Sequence, residues 1–191
     1  MLIERSLKNP YVVGHAFFWG LKSNLYLKVS YERYYVLLEQ FLMLCGKFKE
    51  DIWIQQKTNL AFKAVSESVV HNCYTEKIEF DTVKVEARHE LRRQRKNLPL
   101  LFTLPIDPKI VIRDFRYDLG TVFGSKKVPL CLWGLNQQPG GKELQFLFKN
   151  GDDLRQDILT LQIIYIMDKM WLANNLDLAM TPYKVLGTDC E

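Results

Sequence analysis

This chain of 191 residues has few histidines and no closely spaced cysteines. Its three histidines and four cysteines are scattered, and none has the spacing of a zinc site or a Cys-x-x-Cys motif. The N-terminus lacks a secretory signal pattern, and no apolar run approaches the ~20 residues that a membrane span needs. We therefore expect no metal site, no disulfide framework and no transmembrane segment. A reducing, cytoplasmic setting is the expected location, with any membrane contact peripheral.

A strong charge bias is also missing. The 26 basic residues against 22 acidic residues give a net charge of +4, which suits an anionic partner without requiring one. Hydrophobic residues make up 48% of the chain and aromatic residues 13%. These fractions exclude a disordered chain, and the length allows one large domain or two small ones.

The first half of the chain is predicted to be helical. Apolar residues recur there at spacings of three and four, which indicates helices packed in pairs. The predicted helices cover residues 11–25, 31–48, 52–69 and, more weakly, 75–96.

The pattern changes near residue 100, where Pro99, Pro105 and Pro108 interrupt it. Short apolar runs then predict strands at 110–115, 120–123, 129–135 and 144–149, a helix over 154–172, and a turn and further strand within 176–186. The predicted fold class is α+β: an all-helical, solenoid-like N-terminal half (1–98) precedes a small lobe (99–191) with an antiparallel sheet and one long helix.

The most informative segment is 148–157, Phe-Lys-Asn-Gly-Asp-Asp-Leu-Arg-Gln-Asp. Strand alternation places Leu147 and Lys149 on the same face. Asp157 is followed by apolar residues at i+4 and i+7, so its carboxylate is predicted on the apolar side of the helix. A carboxylate there is costly unless a cation meets it, and we expect Lys149 to do so across the turn.

A strand lysine held by an acid from the next helix is the arrangement with which kinases bind nucleotide phosphates. The ordinary alternatives stay open: Lys149 as a surface lysine, and Asp157 as a first-turn acid favoured by the helix dipole. The segment 124–127, Gly-Ser-Lys-Lys, is a second candidate site between two predicted strands. Its backbone N–H groups, hydroxyl and cations could cover phosphates, although such a segment is also a common solvated turn.

Two further segments are weaker candidates. The basic run 88–96 is either a solvated helix end or a contact with anionic lipid. Nucleic-acid binding is less attractive, because no aromatic residues alternate with the cations. Residues 114–116, Asp-Phe-Arg, superficially resemble a kinase metal-binding motif, but they precede the lysine and lie within a predicted strand, so we reject them.

The segment 148–157 resembles the signature of phosphoinositide 3-kinases, shared more loosely with 4-kinases and related large protein kinases. Further segments are similar to the same family: the motifs within 5–23 to its helical domain, and 104–108, 125–130 and 176–183 to its kinase domain. The resemblance covers nearly the whole chain. The helical segment and the Asn150-Gly151 spelling look like class I members, whereas 182–186 looks like class III, and we expect a divergent class I-like member.

This resemblance implies seven positions around an ATP site. Lys149 would contact the phosphates and Asp157 would pair with it, as the two catalytic positions. Ser125 and Lys127 would cover the phosphates. The pocket wall would be formed by Phe123, Leu147 and Tyr183.

The implied function is transfer of the ATP γ-phosphoryl group to the 3-hydroxyl of a membrane phosphoinositide, with a regulatory subunit as a further candidate partner. The implied organisation is the end of a helical domain (1–98) and a kinase N-lobe (99–191). Mg²⁺ ligands and the catalytic loop belong to the second lobe in this family, and no such motif occurs here. The chain alone is therefore expected to be inactive. The alternatives are a truncated non-catalytic scaffold, or a 4-kinase or related kinase.

Overall fold

The computed structural model describes residues 2–188 and shows an α+β fold, which confirms the predicted class. Its α-helices are α1 (Leu2–Leu7), α2 (His15–Lys22), α3 (Tyr31–Leu44), α4 (Phe48–Tyr74), α5 (Phe80–Arg95) and α6 (Arg155–Ala173), with a π-helical turn at Pro10–Gly14. Residues with positive φ separate several helices, because this conformation cannot continue a helix. Gly46 at φ 54° follows α3, Lys77 at φ 52° lies between α4 and α5, and Asn175 at φ 58° follows α6.

Five antiparallel strands form one sheet. They are β1 (Phe102–Leu104), β2 (Asp107–Phe115), β3 (Thr121–Val122), β4 (Leu130–Asn136) and β5 (Leu144–Phe148). Strand β4 is central: it pairs with β5 along one edge, and with β3 and β2 at the two ends of its other edge. The Cα register of β4 and β5 places Cys131 opposite Leu147. The outer edge of β5 pairs with no strand among residues 2–188.

Two apolar clusters hold the chain together. The first joins α4 and α5 to the sheet, with Phe62, Val83, Leu104 and Ile112 each at most 2% exposed. The second joins α2, α3 and the start of α4, and Trp19 is fully buried there. Both clusters include residues of α4, so this helix connects the helical region to the sheet.

Several predicted boundaries need correction. The predicted helix over 11–25 is a π-helical turn followed by α2, and the one over 75–96 begins only at Phe80, because Lys77 interrupts it. Helix α1 and strand β1 were not predicted. The predicted strand within 176–186 is wrong: this segment has no regular structure, and Lys184 pairs instead with the carboxylate of Asp107. Asp114 lies in β2 and accepts a hydrogen bond from the Tyr117 hydroxyl, as expected for a structural acid.

Candidate nucleotide site

The lysine at the centre of the candidate site, Lys149, directly follows strand β5. The side chains along this strand alternate as predicted, so Phe146 and Phe148 pack towards the core while Leu147 and Lys149 are exposed. The ring of Phe62 on α4 lies 5.4 Å from the ring of Phe146 and 5.6 Å from that of Phe148. The inner face of β5 is thus fixed by aromatic packing, and this packing directs Lys149 away from the core.

The ion-pair partner of Lys149 differs from the predicted one. Lys149 Nζ lies 3.5 Å from Asp152 Oδ2, and both side chains are about one-third exposed, at 38% and 33%. Asp157 is exposed in the first turn of α6, and it forms no ion pair with any residue between 2 and 188. None of the side chains of α6 is fully buried, and Asp152, only three residues after the lysine, meets the ammonium instead.

The turn after β5 contacts the loop at 123–128. Gly151 adopts φ 71°, a left-handed conformation that glycine tolerates without steric cost. Lys127 Nζ donates a hydrogen bond of 2.6 Å to the carbonyl oxygen of Gly151. Two segments 24 residues apart, each singled out from the sequence, therefore meet in space.

The next acid in this turn is used locally. Asp153 Oδ1 accepts hydrogen bonds from the backbone N–H of Arg155 at 3.1 Å and from its Nε at 2.8 Å. The guanidinium of Arg155 also lies 4.9 Å from the ring centroid of Tyr26. Asp153 thus stabilises the start of α6, which leaves Asp152 as the carboxylate on the lysine.

An open cleft of about 900 Å³ runs along β5. It is bounded by α4, the β1–β2 turn, the turn before α6 and the segment 183–188. Its volume is within the range of small-molecule sites. Five of the seven predicted site residues line it: Phe123, Leu147, Lys149, Asp157 and Tyr183. Ser125 and Lys127 do not line it, but lie in the adjacent loop.

Two residues that contact the candidate site were not among the seven predicted from the sequence. Asp152 could have been found from its i+3 spacing to Lys149. Tyr74, at the end of α4, donates its hydroxyl hydrogen to the carbonyl oxygens of Ser125 and Lys126, each at 3.2 Å. No local pattern signals a contact across 51 residues.

The basic run on α5 is mostly engaged within the protein. Arg88 Nε donates to the carbonyl of Gly120 at 2.7 Å, and Arg92 lies over the ring of Tyr117 at 4.8 Å. Arg95 donates to four backbone carbonyls, including that of Arg113 at 2.8 Å. These contacts favour a structural role for the run.

Neither a metal cluster nor a membrane span is found in the described part of the chain. No group of three or more histidine, cysteine or acidic side chains within residues 2–188 could hold a metal ion. In the same range, no helix combines the length and apolarity needed to cross a bilayer. Cys190 lies outside the described residues.

Comparison with known proteins bears on this arrangement. The family model described as phosphatidylinositol 3- and 4-kinase matches residues 143–190, which include Lys149 and α6. Over 98% of its length the chain is 38% identical to "Phosphatidylinositol 3-kinase 2" of Dictyostelium discoideum, covering 10% of that protein. It is 33% identical, over the same share, to "Phosphatidylinositol 3-kinase C2 domain-containing subunit gamma" of Homo sapiens, covering 12% of it.

These matches place the chain among the relatives of lipid kinases. Within that group it falls in the phosphoinositide 3-kinase family, and the resemblance predicted from the lysine motif is confirmed. The chain spans about a tenth of the length of the curated relatives it matches.

Proposed function

We propose that this chain is the part of a phosphatidylinositol 3-kinase that binds the phosphates of ATP, in an enzyme that phosphorylates the 3-hydroxyl of a membrane phosphoinositide. The observation that supports this most directly is the meeting of two lysine-bearing segments beside one cleft. Lys149 directly follows the strand along the cleft, and Lys127 reaches the turn after it. Two cations beside an open cleft suit a polyanionic ligand.

In this proposal, residues 1–98 are the end of a helical domain and residues 99–191 are the kinase N-lobe. Lys149 neutralises phosphate charge, and Asp152 is the carboxylate that pairs with its ammonium. Ser125 and Lys127 cover the phosphates, while Phe123, Leu147 and Tyr183 form the apolar wall. ATP supplies the phosphoryl group that is transferred, and a lipid substrate requires recruitment to a membrane surface.

The residues present fit the nucleotide better than they fit its metal. Lys149 and Lys127 supply positive charge, and the exposed faces of Phe123 and Leu147, 48% and 58% exposed, offer apolar surface for a base. The described residues form no cluster suited to Mg²⁺. The metal ligands and the group that orients the attacking hydroxyl are therefore expected in a second lobe, and the chain alone is expected to be inactive.

The test is a lipid kinase assay of the full-length protein that contains this chain. Lys149→Met removes the ammonium and keeps an unbranched side chain, and Lys142→Met, an exposed lysine just before β5, is the matched control. We expect Lys149→Met to lower kcat/KM by about 100-fold or more, as loss of one preorganised charge contact does. The control should stay within about twofold of wild type.

Three results would overturn the proposal. Normal activity of Lys149→Met would remove the assigned role of the lysine. Phosphorylation at a position other than the 3-hydroxyl would favour the 4-kinase alternative. A wild-type protein without lipid kinase activity would favour a non-catalytic scaffold.

A further inference from the structure

The loop at 123–128 is held from outside the sheet by the α4–α5 hairpin. The hydroxyl of Tyr74, the last residue of α4, is shared between the carbonyls of Ser125 and Lys126 in a three-centre hydrogen bond. The ring of Phe80, the first residue of α5, lies against Gly124, since a β-carbon there would be 3.7 Å from Phe80 Cζ. Both ends of the α4–α5 connection therefore touch the loop.

The loop also has contacts of its own. The N–H of Ser125 donates to Phe123 O and that of Val128 to Ser125 O, each at 2.9 Å. Val128 adopts φ 42°, which is unusual for a β-branched residue, and it is only 2% exposed, within the apolar cluster that joins α4 and α5 to the sheet. Burial of Val128 fixes one end of the loop, and Tyr74 fixes its middle.

The hydrogen bonds from Tyr74 to the carbonyls of Ser125 and Lys126 determine the direction of the N–H groups of Lys126 and Lys127. In a trans peptide the C=O and N–H bonds are antiparallel, and the chain has no cis peptide bond in its described part. With the carbonyls of Ser125 and Lys126 turned towards Tyr74, the N–H groups of Lys126 and Lys127 point away from α4. Neither N–H donates a hydrogen bond to any residue between 2 and 188. Two successive free N–H groups on one side of a turn form an anion-binding surface.

We propose that Tyr74 is a positioning residue for nucleotide phosphates, because its hydroxyl fixes the peptide planes that present the N–H groups of Lys126 and Lys127. This inference rests on the proposed function of the loop, but its structural half is independent of any kinase activity. Tyr74 touches no phosphate itself. It acts on the ligand through the orientation of the loop.

The structural part of this proposal, that the Tyr74 hydroxyl orders the loop at 123–128, is tested by amide hydrogen exchange of the 191-residue chain. Tyr74→Phe removes only the hydroxyl, and Tyr31→Phe, on another exposed tyrosine, is the control. We expect the amides of Ser125 and Val128 to exchange about fivefold faster in Tyr74→Phe, which corresponds to one lost hydrogen bond. The melting temperature should stay within about 2 °C of wild type, because Tyr74 is half exposed. Unchanged exchange at both amides would overturn the inference.

The functional half is tested in the full-length protein by separating KM from kcat. Tyr74→Phe should raise the KM for ATP about fivefold and change kcat by less than about twofold, since the lost hydrogen bond loosens the loop that binds the phosphates. An unchanged KM together with faster exchange would show that the hydroxyl orders the loop without serving the nucleotide, which overturns the positioning role. Absence of kinase activity in the wild type would count against the proposed function alone, and the exchange result would still decide the structural claim.

Discussion

Phe62 is the side chain on which the position of the lysine strand depends most directly. It is 2% exposed, and its ring lies 5.8 Å from that of Phe115 as well as close to Phe146 and Phe148. Phe62→Ala removes a buried phenyl ring from three aromatic contacts. Buried Phe→Ala changes cost about 3–5 kcal/mol, and we expect about 4 kcal/mol here, because aromatic pairs contribute beyond their buried area.

The assay is urea denaturation of the 191-residue chain, followed by tryptophan fluorescence. Leu60→Ala is the matched control, because Leu60 lies on the same helix and is 62% exposed. This control should cost about 0.5 kcal/mol or less. If Phe62→Ala does not fold, Phe62→Leu keeps most of the volume and should cost about 1.5 kcal/mol.

The same variants test the link between the core and the site. Because Phe146 and Phe148 rest on Phe62, Phe62→Leu should speed amide exchange in β5 more than in α3, whose core does not include Phe62. Equal unfolding free energies for the Phe62 variants and Leu60→Ala would refute the claim that this ring anchors the lysine strand.

Two further changes test the pH response and the acidic turn. His15 is 7% exposed, and burial lowers the pKa of its imidazole below the usual 6.5. The unfolded chain then binds more protons than the folded one, so stability should fall as the pH drops from about 6.5 through the lowered value, by at most about 1.4 kcal/mol per pH unit. His15→Gln should flatten this slope in urea titrations at several pH values, and an unchanged slope would contradict the argument. Gly151→Ala should cost about 1–2 kcal/mol, because Gly151 has φ 71° and the new β-carbon would lie 3.2 Å from Lys127 Nζ. Gly20→Ala, a helix position with open space around it, should stabilise the chain by about 0.5–1 kcal/mol, and equal effects of the two changes would show that the turn is not strained.

The parts of the site that the sequence predicts are local. Period-two alternation placed Leu147 and Lys149 on one face of β5, and Asn-Gly-Asp-Asp marked the turn. The gathering of Phe123, Leu147 and Tyr183 at one cleft was implied by family resemblance instead. No spacing rule connects residues 60 positions apart.

The parts that the sequence did not predict are tertiary. Tyr74 meets its loop across 51 residues, and the strand predicted within 176–186 has high apolar content but finds no strand partner among residues 2–188. A strand needs hydrogen bonds to a neighbour as well as a suitable pattern. The apolar pattern alone therefore predicted a strand within 176–186 that the chain does not form.

The ion-pair partner of Lys149 depends on both the local sequence pattern and the tertiary packing of α6. The apolar spacing after Asp157 predicts that it lies on a buried helix face, where an unpaired carboxylate would be costly. Helix α6 instead has no fully buried side chain, and Asp157 itself is exposed, so its carboxylate is solvated and has no need of a cation. The pair that does form, with Asp152, is about one-third exposed, and such a pair contributes about 1 kcal/mol or less. Lys149 is thus held loosely beside the cleft, and under the proposed function a phosphate of higher charge would displace Asp152 at little cost.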